Sequence, residues 1–359
     1  MTNNYLKFSI KINLQMDKEC LIKEFQTIIF GIQSENNKTS PFRIKQYSDI
    51  IKLIQTYPKE KIESLDSLKD WFLKNGKKSP DKMISKIEQY SKKGYIDEAK
   101  KARSNNEVLA VMKLTKIANI GPAKAKELYN KYGIITVDDL KEKFSVDNTI
   151  IHNKQKIGLM YYDDLLKRIP RKEMDKYNEV FLKICKSISP DMKFSINGSY
   201  RRKHTTSGDI DVLISGPKGK NKIFRNKFLE CLKTENIVRE ILASGSKKFM
   251  GITILPDCKE YRHLDVIDTD IDQYPFAQLY FTGSGGFNSH MRLIALKKGY
   301  SLNEYCLSDK KTKKPISEEI IFEKIGKKKF ISEEDIFEFL GMDYVDPELR
   351  NTMTLSKLL

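Results

Sequence analysis

The chain has 359 residues, and its 65 Lys and Arg outnumber its 48 Asp and Glu to give a formal net charge of +17. A hydrophobic fraction of 40% and a mean hydropathy of −0.51 argue against a disordered chain and favour two or three globular domains. No apolar run approaches the roughly 20 residues of a membrane helix, so no membrane partner is expected. The positive charge fits either a polyanionic partner or lysine used for solubility.

Cysteines and histidines are few and scattered. The five Cys and four His include no Cys-x-x-Cys pair, which argues against a structural zinc site and for a metal held by oxygen ligands. The start, Met1 to Lys18, also lacks a signal-peptide pattern. We therefore expect an intracellular, reducing location: the nucleus, the cytoplasm or, for a virus-encoded chain, a viral factory or virion.

The N-terminal third has helical periodicity. Residues 1–17 carry no clear pattern and are interpreted as an arm, whereas apolar residues from Lys18 to Arg103 recur at helical spacing and predict a small all-helical domain over 18–103. Pro58 is expected to end its second helix. Ser79 and Pro80 are expected to be the N-cap and first residue of a later helix.

Two lysines share one face of that later helix. Lys82 and Lys86 lie one turn apart. The pair indicates either a solvated lysine face or a phosphate-binding patch. In the second case one amine, its pKa depressed by a neighbour, would be a nucleophile.

Residues 114–132 have a helix-hairpin-helix pattern, in which a helix, a tight turn at residues 119–121 and a helix opening at Pro122 follow one another. Turn amides and a helix N-terminus present donors to a backbone phosphate. Lys124 and Lys126 beside the turn favour DNA-backbone binding over an ordinary helix connection.

From Lys193 the hydrophobic period changes to that of strands. We predict five strands, with a helix over 222–234 between the second and third: 193–197, 209–215, 237–243, 249–255 and 261–268. Strands and helices in this order predict an α+β domain with a mostly antiparallel sheet.

Three aspartates lie on these strands. Asp209 and Asp211 share one face of the second strand, and Asp265 alternates with apolar neighbours on the last. Neighbouring carboxylates repel each other unless a divalent cation lies between them. The three therefore predict a two-metal cluster, whereas Asp268, Asp270 and Asp272 are expected in the following loop.

A phosphate-binding segment precedes the aspartates. Gly198 allows close approach of the backbone to a ligand, and Ser199, Arg201 and Arg202 supply donors for phosphate oxygens. Together with the aspartates, this segment predicts a site for a metal–nucleoside triphosphate.

The C-terminal region contains a glycine cluster at residues 283–286, which is expected to separate two helices and to admit a sugar or base. The second helix is expected to bury Leu293 and Leu296 and to expose Arg292. A short helix is predicted over 333–340.

The order of these features resembles a family X DNA polymerase of the polymerase β type. The resemblance is densest at residues 198–202, 208–211, 249–251, 280–284 and 303–305. It implies an α+β architecture of four parts: an all-helical lyase-like domain (18–103), a helix-hairpin-helix subdomain (104–190), a nucleotidyltransferase-type palm with a mixed or antiparallel sheet (191–272) and a C-terminal nucleotide-binding subdomain (273–359).

The resemblance implies a monomeric DNA-directed DNA polymerase that fills short gaps in base excision repair. Its substrates would be gapped or nicked double-stranded DNA and deoxyribonucleoside triphosphates, with two Mg²⁺ ions that Mn²⁺ can replace. Asp209 and Asp211 would bind both ions and Asp265 the catalytic one. Nucleotide contacts are implied at Ser199, Arg202, Gly208, Tyr280, Phe281, Gly283 and Asn288. DNA contacts are implied at Gly121, Lys124 and Arg292, and backbone ligands of a Na⁺ or K⁺ at Thr115, Ile117 and Ile120.

The resemblance also implies a 5′-deoxyribose-phosphate lyase. Lys86 would be its Schiff-base nucleophile, with Lys82, Tyr47 and Arg43 around the pocket and in contact with DNA. The chain departs from the family pattern at four places, listed in order: Lys78-Ser79-Pro80 replaces a Gly-x-Gly turn, Asn119 replaces a hairpin glycine, Ile267 replaces an arginine that pairs with an active-site aspartate, and Gly285 replaces an aspartate.

Two other functions stay open. A template-independent nucleotidyltransferase would extend 3′ ends, but no long insertion precedes Tyr261 to occlude a template. A non-catalytic scaffold for DNA ends would not need all three carboxylates. The assigned segments leave no room for a proofreading exonuclease or a BRCT module, so no error correction in cis is expected.

Overall fold

The N-terminal region is a helical bundle with a short strand pair at its edge. The computed structural model describes residues 16–351 apart from Asn36, Pro58 and Glu60. The elements are β1 (Met16–Asp17), α1 (Lys18–Glu35), α2 (Ser40–Gln55), β2 (Lys61–Ile62), α3 (Leu65–Lys74), α4 (Asp81–Lys93) and α5 (Asp97–Arg103). None of the helices within the described residues is long and apolar enough to cross a membrane.

Two predictions for this region need correction. Met16 and Asp17 pair antiparallel with β2, so the end of the predicted arm belongs to the fold, while residues 1–15 and Pro58 lie outside the described residues. Helix α4 has Pro80, not Ser79, as its N-cap. The reason is that the Pro80 carbonyl already accepts the first helical hydrogen bond, 2.9 Å from the Ile84 amide.

The hairpin region follows as five short helices: α6 (Asn106–Leu114), α7 (Pro122–Tyr132), α8 (Val137–Val146), α9 (Asn153–Met160) and α10 (Tyr162–Leu166). Gly121 is the N-cap of α7 and Pro122 its first residue, which confirms the predicted helix, turn and helix. Asn119 adopts φ of 65°, the left-handed region that asparagine tolerates better than most residues. These helices share a core of their own, centred on side chains such as Leu114, Ala125 and Leu128.

A five-stranded sheet forms the centre of the chain. The elements are β3 (Ile169–Pro170), α11 (Arg171–Ile188), β4 (Lys193–Ile196), α12 (Gly198–Arg201), β5 (Thr206–Ser207), β6 (Ile210–Ser215), α13 (Asn221–Thr234), β7 (Val238–Ser244), β8 (Lys248–Thr253) and β9 (Arg262–Asp268). The strand order is β4-β6-β9-β8-β7, with only β6 and β9 parallel. The predicted α+β class and mostly antiparallel sheet are confirmed. Helices α11 and α13 cover one face through residues such as Phe181 and Phe228.

Asp268 belongs to the strand predicted over 261–268, and its alternative assignment to the following loop is wrong. It ends β9, is buried, and accepts a hydrogen bond of 2.6 Å from Arg225 on α13. Burial raises the pKa of Asp268, against the charge of Arg225. The arginine lies 43 residues earlier in the chain, so no local sequence pattern predicts this ion pair. Asp270 and Asp272 do lie beyond the strand, as predicted.

The C-terminal region is built on the remaining elements: α14 (Tyr274–Thr282), α15 (Gly285–Lys297), β10 (Tyr300–Leu302), β11 (Leu307–Asp309), α16 (Glu318–Ile325), α17 (Glu333–Phe339) and a 3₁₀ helix (Pro347–Asn351). The glycine cluster does separate two helices, and the predicted helix over 333–340 is confirmed as α17.

The buried face of α15 differs from the prediction. Leu296 is 40% exposed and Leu293 half-buried, whereas the buried side chains are Phe287, His290, Met291, Ile294 and Ala295. The helix turns this face towards α2, where His290 Nε2 lies 2.6 Å from the Thr56 carbonyl oxygen. The contact between His290 and Thr56, which are far apart in sequence, therefore accounts for the buried face of α15 better than the spacing of Leu293 and Leu296 does.

The N-terminal bundle and the C-terminal region share one hydrophobic core. A single cluster contains side chains of the N-terminal bundle, such as Phe25 and Phe72, and of the C-terminal region, such as Phe287 and Phe337. An ion cluster joins the C-terminal region to the central domain, because Glu333 on α17 binds Arg350 at 2.9 Å and Arg201 of the central domain at 2.7 Å. Burial acts to raise the pKa of Glu333, but the two arginines hold it below its usual value.

Replacing Glu333 with Ala should destabilise the fold by about 3 kcal/mol, because the buried Arg350 and the half-buried Arg201 lose their shared carboxylate. The control is Glu348→Ala, which removes an exposed pair with Lys203 and should cost less than about 1 kcal/mol. Denaturant unfolding followed by circular dichroism measures both. Because the pKa of Glu333 is lowered in the folded protein, its contribution to stability is fully present above its ordinary pKa of 4.5 and is lost as pH falls below that value. Equal stability of Glu333→Ala and Glu348→Ala at neutral pH would show that the Glu333 ion cluster does not stabilise the fold.

Candidate active site

The register of two parallel strands places two of the predicted aspartates together. Asp211 of β6 is the direct neighbour of Asp265 of β9. Asp209 precedes β6, which begins at Ile210, but it stays on the same side because exposed Asp209 and half-buried Asp211 flank the buried Ile210. The structure therefore brings the three carboxylates to one edge of the sheet.

The three carboxylates repel one another. The pKa of Asp211 is raised to about 7, first by burial and then by the charges of Asp209 and Asp265, while Lys248 and Arg202 oppose the shift. An unpaired carboxylate in such surroundings favours either a proton or a cation.

Asp265 has only partial compensation. Its Oδ2 lies 2.6 Å from Lys248 Nζ, and its Oδ1 lies 3.6 Å from His263 Nδ1 without a hydrogen-bond partner among the described residues. Sequence analysis missed Lys248, whose only signal is its position at the start of a strand next to β9. No trio of His, Cys, Asp or Glu in the described part of the chain is arranged as a finished metal site. Nevertheless, a buried unpartnered oxygen beside two further carboxylates fits a divalent cation.

Gly198 leaves the space that the Asp211 carboxylate occupies. Its φ is 58°, and a Cβ added there would lie 2.4 Å from Asp211 Oδ2. A larger residue would therefore displace the carboxylate. The Asn197 amide also donates to the Asp211 carbonyl at 2.8 Å, which fixes the segment on β6.

The two arginines after Ser199 have different surroundings. Arg202 donates to the Thr282 carbonyl at 2.5 Å and to Asn351 Oδ1 at 2.8 Å, and burial lowers its pKa. Arg201 instead binds Thr282 Oγ1 and Glu333. The predicted phosphate donor Arg201 is thus part of the ion cluster between domains.

A cavity of about 600 Å³ is lined by all seven of the predicted nucleotide contacts. Its lining includes Ser199, Arg202, Gly208, Asp209, Asp211, Tyr280, Phe281, Gly283, Asn288 and Arg292. Arg168, His204 and Ser289 also line it and were not predicted. Arg168 is held by two hydrogen bonds to Thr206, so it is a fixed cation at the rim.

One wall of the cavity is formed by Tyr280, Asn288 and Arg292, which contact one another. Asn288 Nδ2 donates to the Tyr280 carbonyl at 2.6 Å, and the Arg292 guanidinium lies 5.1 Å from the centre of the Tyr280 ring. Glu304 Oε2 lies 3.8 Å from Arg292 Nη2. Gly283, with φ of 69°, ends α14 beside this wall, where a side chain would meet Arg202.

A second cavity, of about 560 Å³, places the hairpin beside the aspartates. Residues 115–121 line one side, and Gly208, Asp209 and His263 line the other. Thr115, Ile117, Ile120 and Gly121 are all in this wall, as the prediction of a cation and DNA-backbone site requires.

The lysines near the hairpin are less available than predicted. Lys124 Nζ lies 2.9 Å from Glu127 on the same helix. Lys126 donates to the Ser34 carbonyl at 2.6 Å and lies 3.1 Å from Glu107. Lys126 therefore ties the hairpin region to α1.

Lys86 lies in a separate cluster of the N-terminal bundle. Its Nζ is 2.5 Å from Glu98 Oε2, and Tyr47 and Arg43 also bind Glu98. Lys82 is exposed on the same helix. The neighbour of the Lys86 amine is thus a carboxylate. Sequence analysis missed Glu98, which is separated from Lys86 by the end of α4.

Comparisons with known proteins agree with this geometry, which is that of a nucleotidyltransferase-type palm. Three family models match: the fingers domain of DNA polymerase lambda over residues 112–166, the DNA polymerase beta palm over 168–270 and the DNA polymerase beta thumb over 277–351. DNA polymerase lambda of Arabidopsis thaliana is 30% identical over 269 residues, which are 72% of this chain and 49% of the relative. DNA polymerase lambda of Rattus norvegicus is 33% identical over 193 residues, 52% of this chain and 33% of the relative.

The chain belongs to the family X DNA polymerases of the polymerase β type. It spans about half or less of the length of these two relatives. Family X polymerases generally use divalent metal ions, which the carboxylates at the sheet edge suit. The matched models lie within residues 112–351, and the lyase-type role of residues 18–103 stays a prediction.

Asp211→Asn should stabilise the metal-free protein at pH 8 by on the order of 3 kcal/mol. The folded-state pKa of Asp211, about 7, is above its ordinary value of 3.8, so the energetic cost of its charge is full above pH 7 and disappears as pH falls towards 3.8. Thermal unfolding at pH 8 and pH 5 without metal measures the difference, which should shrink at pH 5. Added Mn²⁺ should raise the midpoint of the parent more than that of the variant. A variant less stable at pH 8 would contradict the repulsion.

Proposed function

We propose that the chain is a DNA-directed DNA polymerase that adds deoxyribonucleotides to a primer 3′-OH in gapped or nicked DNA. The observation that supports it most directly is the parallel β6–β9 register, which sets Asp211 beside Asp265 with Asp209 at the same edge. The 600 Å³ cavity against that edge has the cations and the aromatic wall that a nucleoside triphosphate requires. The protein would act as a monomer in base excision repair, inside the cell.

In the proposed reaction, Ser199 and Arg202 bind the triphosphate together with the Gly208 backbone. Tyr280, Phe281 and Gly283 contact the sugar, Asn288 the base and Arg292 the template strand. Two Mg²⁺ ions, or Mn²⁺ in their place, would lower the pKa of the primer hydroxyl and neutralise charge on the phosphates. Asp209 and Asp211 would hold both ions and Asp265 one of them, for which Lys248 must release Asp265.

The second cavity supports a path for DNA towards these carboxylates. The Gly121 amide at the start of α7 would bind a backbone phosphate, and the carbonyls of Thr115, Ile117 and Ile120, which line the same cavity, would hold Na⁺ or K⁺ beside it. Lys124 would exchange Glu127 for a phosphate. With a net charge of +17, binding should weaken steeply with salt.

We also propose a 5′-deoxyribose-phosphate lyase in the N-terminal bundle. Lys86 is the half-buried amine of a cluster with Arg43 and Tyr47, while Lys82 lies exposed one turn away to bind phosphate. A cluster of this kind can hold a sugar phosphate while the amine forms a Schiff base.

Asp265→Ala should reduce primer extension on gapped DNA with Mg²⁺ at least 100-fold, because one ion loses a ligand beside the reacting hydroxyl. Asp272→Ala is the matched control, since this carboxylate pairs with Lys329 outside the cavity, and should extend normally. A gel assay of single-nucleotide insertion measures both. An Asp265→Ala protein as active as the parent would rule out the proposed polymerase.

The same assay separates the alternatives. Extension that persists without a template strand would indicate a template-independent nucleotidyltransferase. Salt-sensitive DNA binding with no insertion by the parent would indicate a scaffold.

Lys86→Ala should abolish the DNA adduct that borohydride traps on a gapped substrate with a 5′ abasic sugar phosphate, because the Schiff base needs this amine. Lys92→Ala on the same helix, which loses only an exposed pair with Glu88, should trap as the parent does. Denaturing electrophoresis of labelled DNA reports the adduct. Equal trapping by the two variants would show that another amine reacts.

A further inference from the structure

Glu98 is the point at which three helices of the N-terminal bundle converge. It lies in the first turn of α5, where its Oε2 accepts from Lys86 of α4 at 2.5 Å and from Tyr47 of α2 at 3.0 Å. Its Oε1 accepts from Arg43 of α2 at 3.1 Å. Both oxygens are thus fixed in position by groups from two other helices.

The Glu98 carboxylate is fixed by hydrogen bonds but remains partly exposed to solvent. The side chains of Glu98 and Lys86 are 31% and 21% exposed, so a sugar can approach the amine from solvent. Burial acts to raise the pKa of Glu98, but the bond from Lys86, the bond from Tyr47 and the charge of Arg43 keep it lowered. The group is therefore ionised at neutral pH and can accept a proton. Burial raises the pKa of Tyr47, so its hydroxyl stays a donor.

We propose that Glu98 is the catalytic base of the lyase site and removes the C2′ proton of the bound sugar. The inference rests on the proposed lyase function of Lys86. A base for this step must lie beside the lysine nitrogen, because C2′ is attached to the carbon that this nitrogen attacks. Glu98 Oε2 has that position. Arg43 and Tyr47 act as positioning residues.

The proposed sequence balances without another reactant. Lys86 first loses its ammonium proton to solvent water, and its amine attacks C1′ of the open-chain sugar, with loss of water, to form a protonated imine. Glu98 then takes the C2′ proton. The electron pair of that C–H bond forms the new C2′=C3′ double bond through the imine, and the C3′–O bond breaks. The leaving oxygen keeps its pair as the 5′-phosphate of the downstream strand, and water hydrolyses the imine to restore Lys86.

The test separates adduct formation from elimination. Glu98→Gln should still give a borohydride-trapped adduct within threefold of the parent, while release of 5′-phosphorylated DNA in a single turnover falls about 100-fold or more. Glu88→Gln is the control on α4, since it loses only an exposed pair with Lys92. It should trap and eliminate as the parent does.

Chemical rescue distinguishes a base from a structural clamp. In Glu98→Ala, added formate should restore elimination at least tenfold, in proportion to its concentration, without changing the amount of trapped adduct. Unchanged elimination in Glu98→Gln, an equal fall of adduct and elimination, or no rescue by formate would each overturn the assignment. If Glu98→Gln is unfolded by circular dichroism, Glu98→Asp decides, with elimination reduced more than trapping. A parent that forms no adduct overturns the lyase itself, which is a different result.

Discussion

The like-charge repulsion among Asp209, Asp211 and Asp265 is the constraint on which the central domain depends. The parallel register of β6 and β9 makes Asp211 and Asp265 direct neighbours, and the pKa of Asp211 rises to about 7 in consequence of burial and this crowding. Neighbouring structure maintains the arrangement: Gly198 leaves room for the Asp211 carboxylate, and Lys248 supplies charge to Asp265. The repulsion among the three carboxylates destabilises this part of the sheet, and a bound divalent cation would replace it with attraction. The arrangement is therefore that of a cation site.

Much of this edge follows from local pattern, and the remainder depends on contacts between distant residues. Alternation along each strand identifies Asp211 and Asp265, because a period of two fixes the face of a side chain. It does not show that β6 and β9 are parallel neighbours, or that Lys248 reaches Asp265 from β8. Asp268 was assigned to a loop for the same reason, since its partner Arg225 lies on a helix far away in sequence. On α15 the face was wrong because His290 docks on α2, which no local pattern encodes.

Contacts that join the N-terminal bundle, the central domain and the C-terminal region hold the two proposed active sites in one structure. Glu333 joins Arg201, beside the phosphate-binding segment, to Arg350 near the C-terminal end of the described residues. The shared core then links the C-terminal helices to the bundle that carries Lys86. The structure thus makes one packed body of segments that the sequence suggests as separate domains. A gapped substrate could present its primer end to one pocket and its 5′ end to the other only if their separation is fixed.

Two carboxylates of this chain show how the surroundings decide the chemistry of a side chain. Asp211 is half-buried beside Asp209 and Asp265, and burial together with these charges raises its pKa, so its ionised form is unfavourable unless a cation binds. Glu98 is surrounded by Lys86, Tyr47 and Arg43, and its low pKa makes its anion the resting form. The first environment suits a metal ligand. The second suits a base beside an amine that becomes a cationic imine, because the imine acidifies the adjacent C–H bond and so reduces the basicity that the carboxylate needs. Proton transfer to a weakly basic carboxylate is therefore reasonable at Glu98, whereas at Asp211 the same proton would compete with the metal.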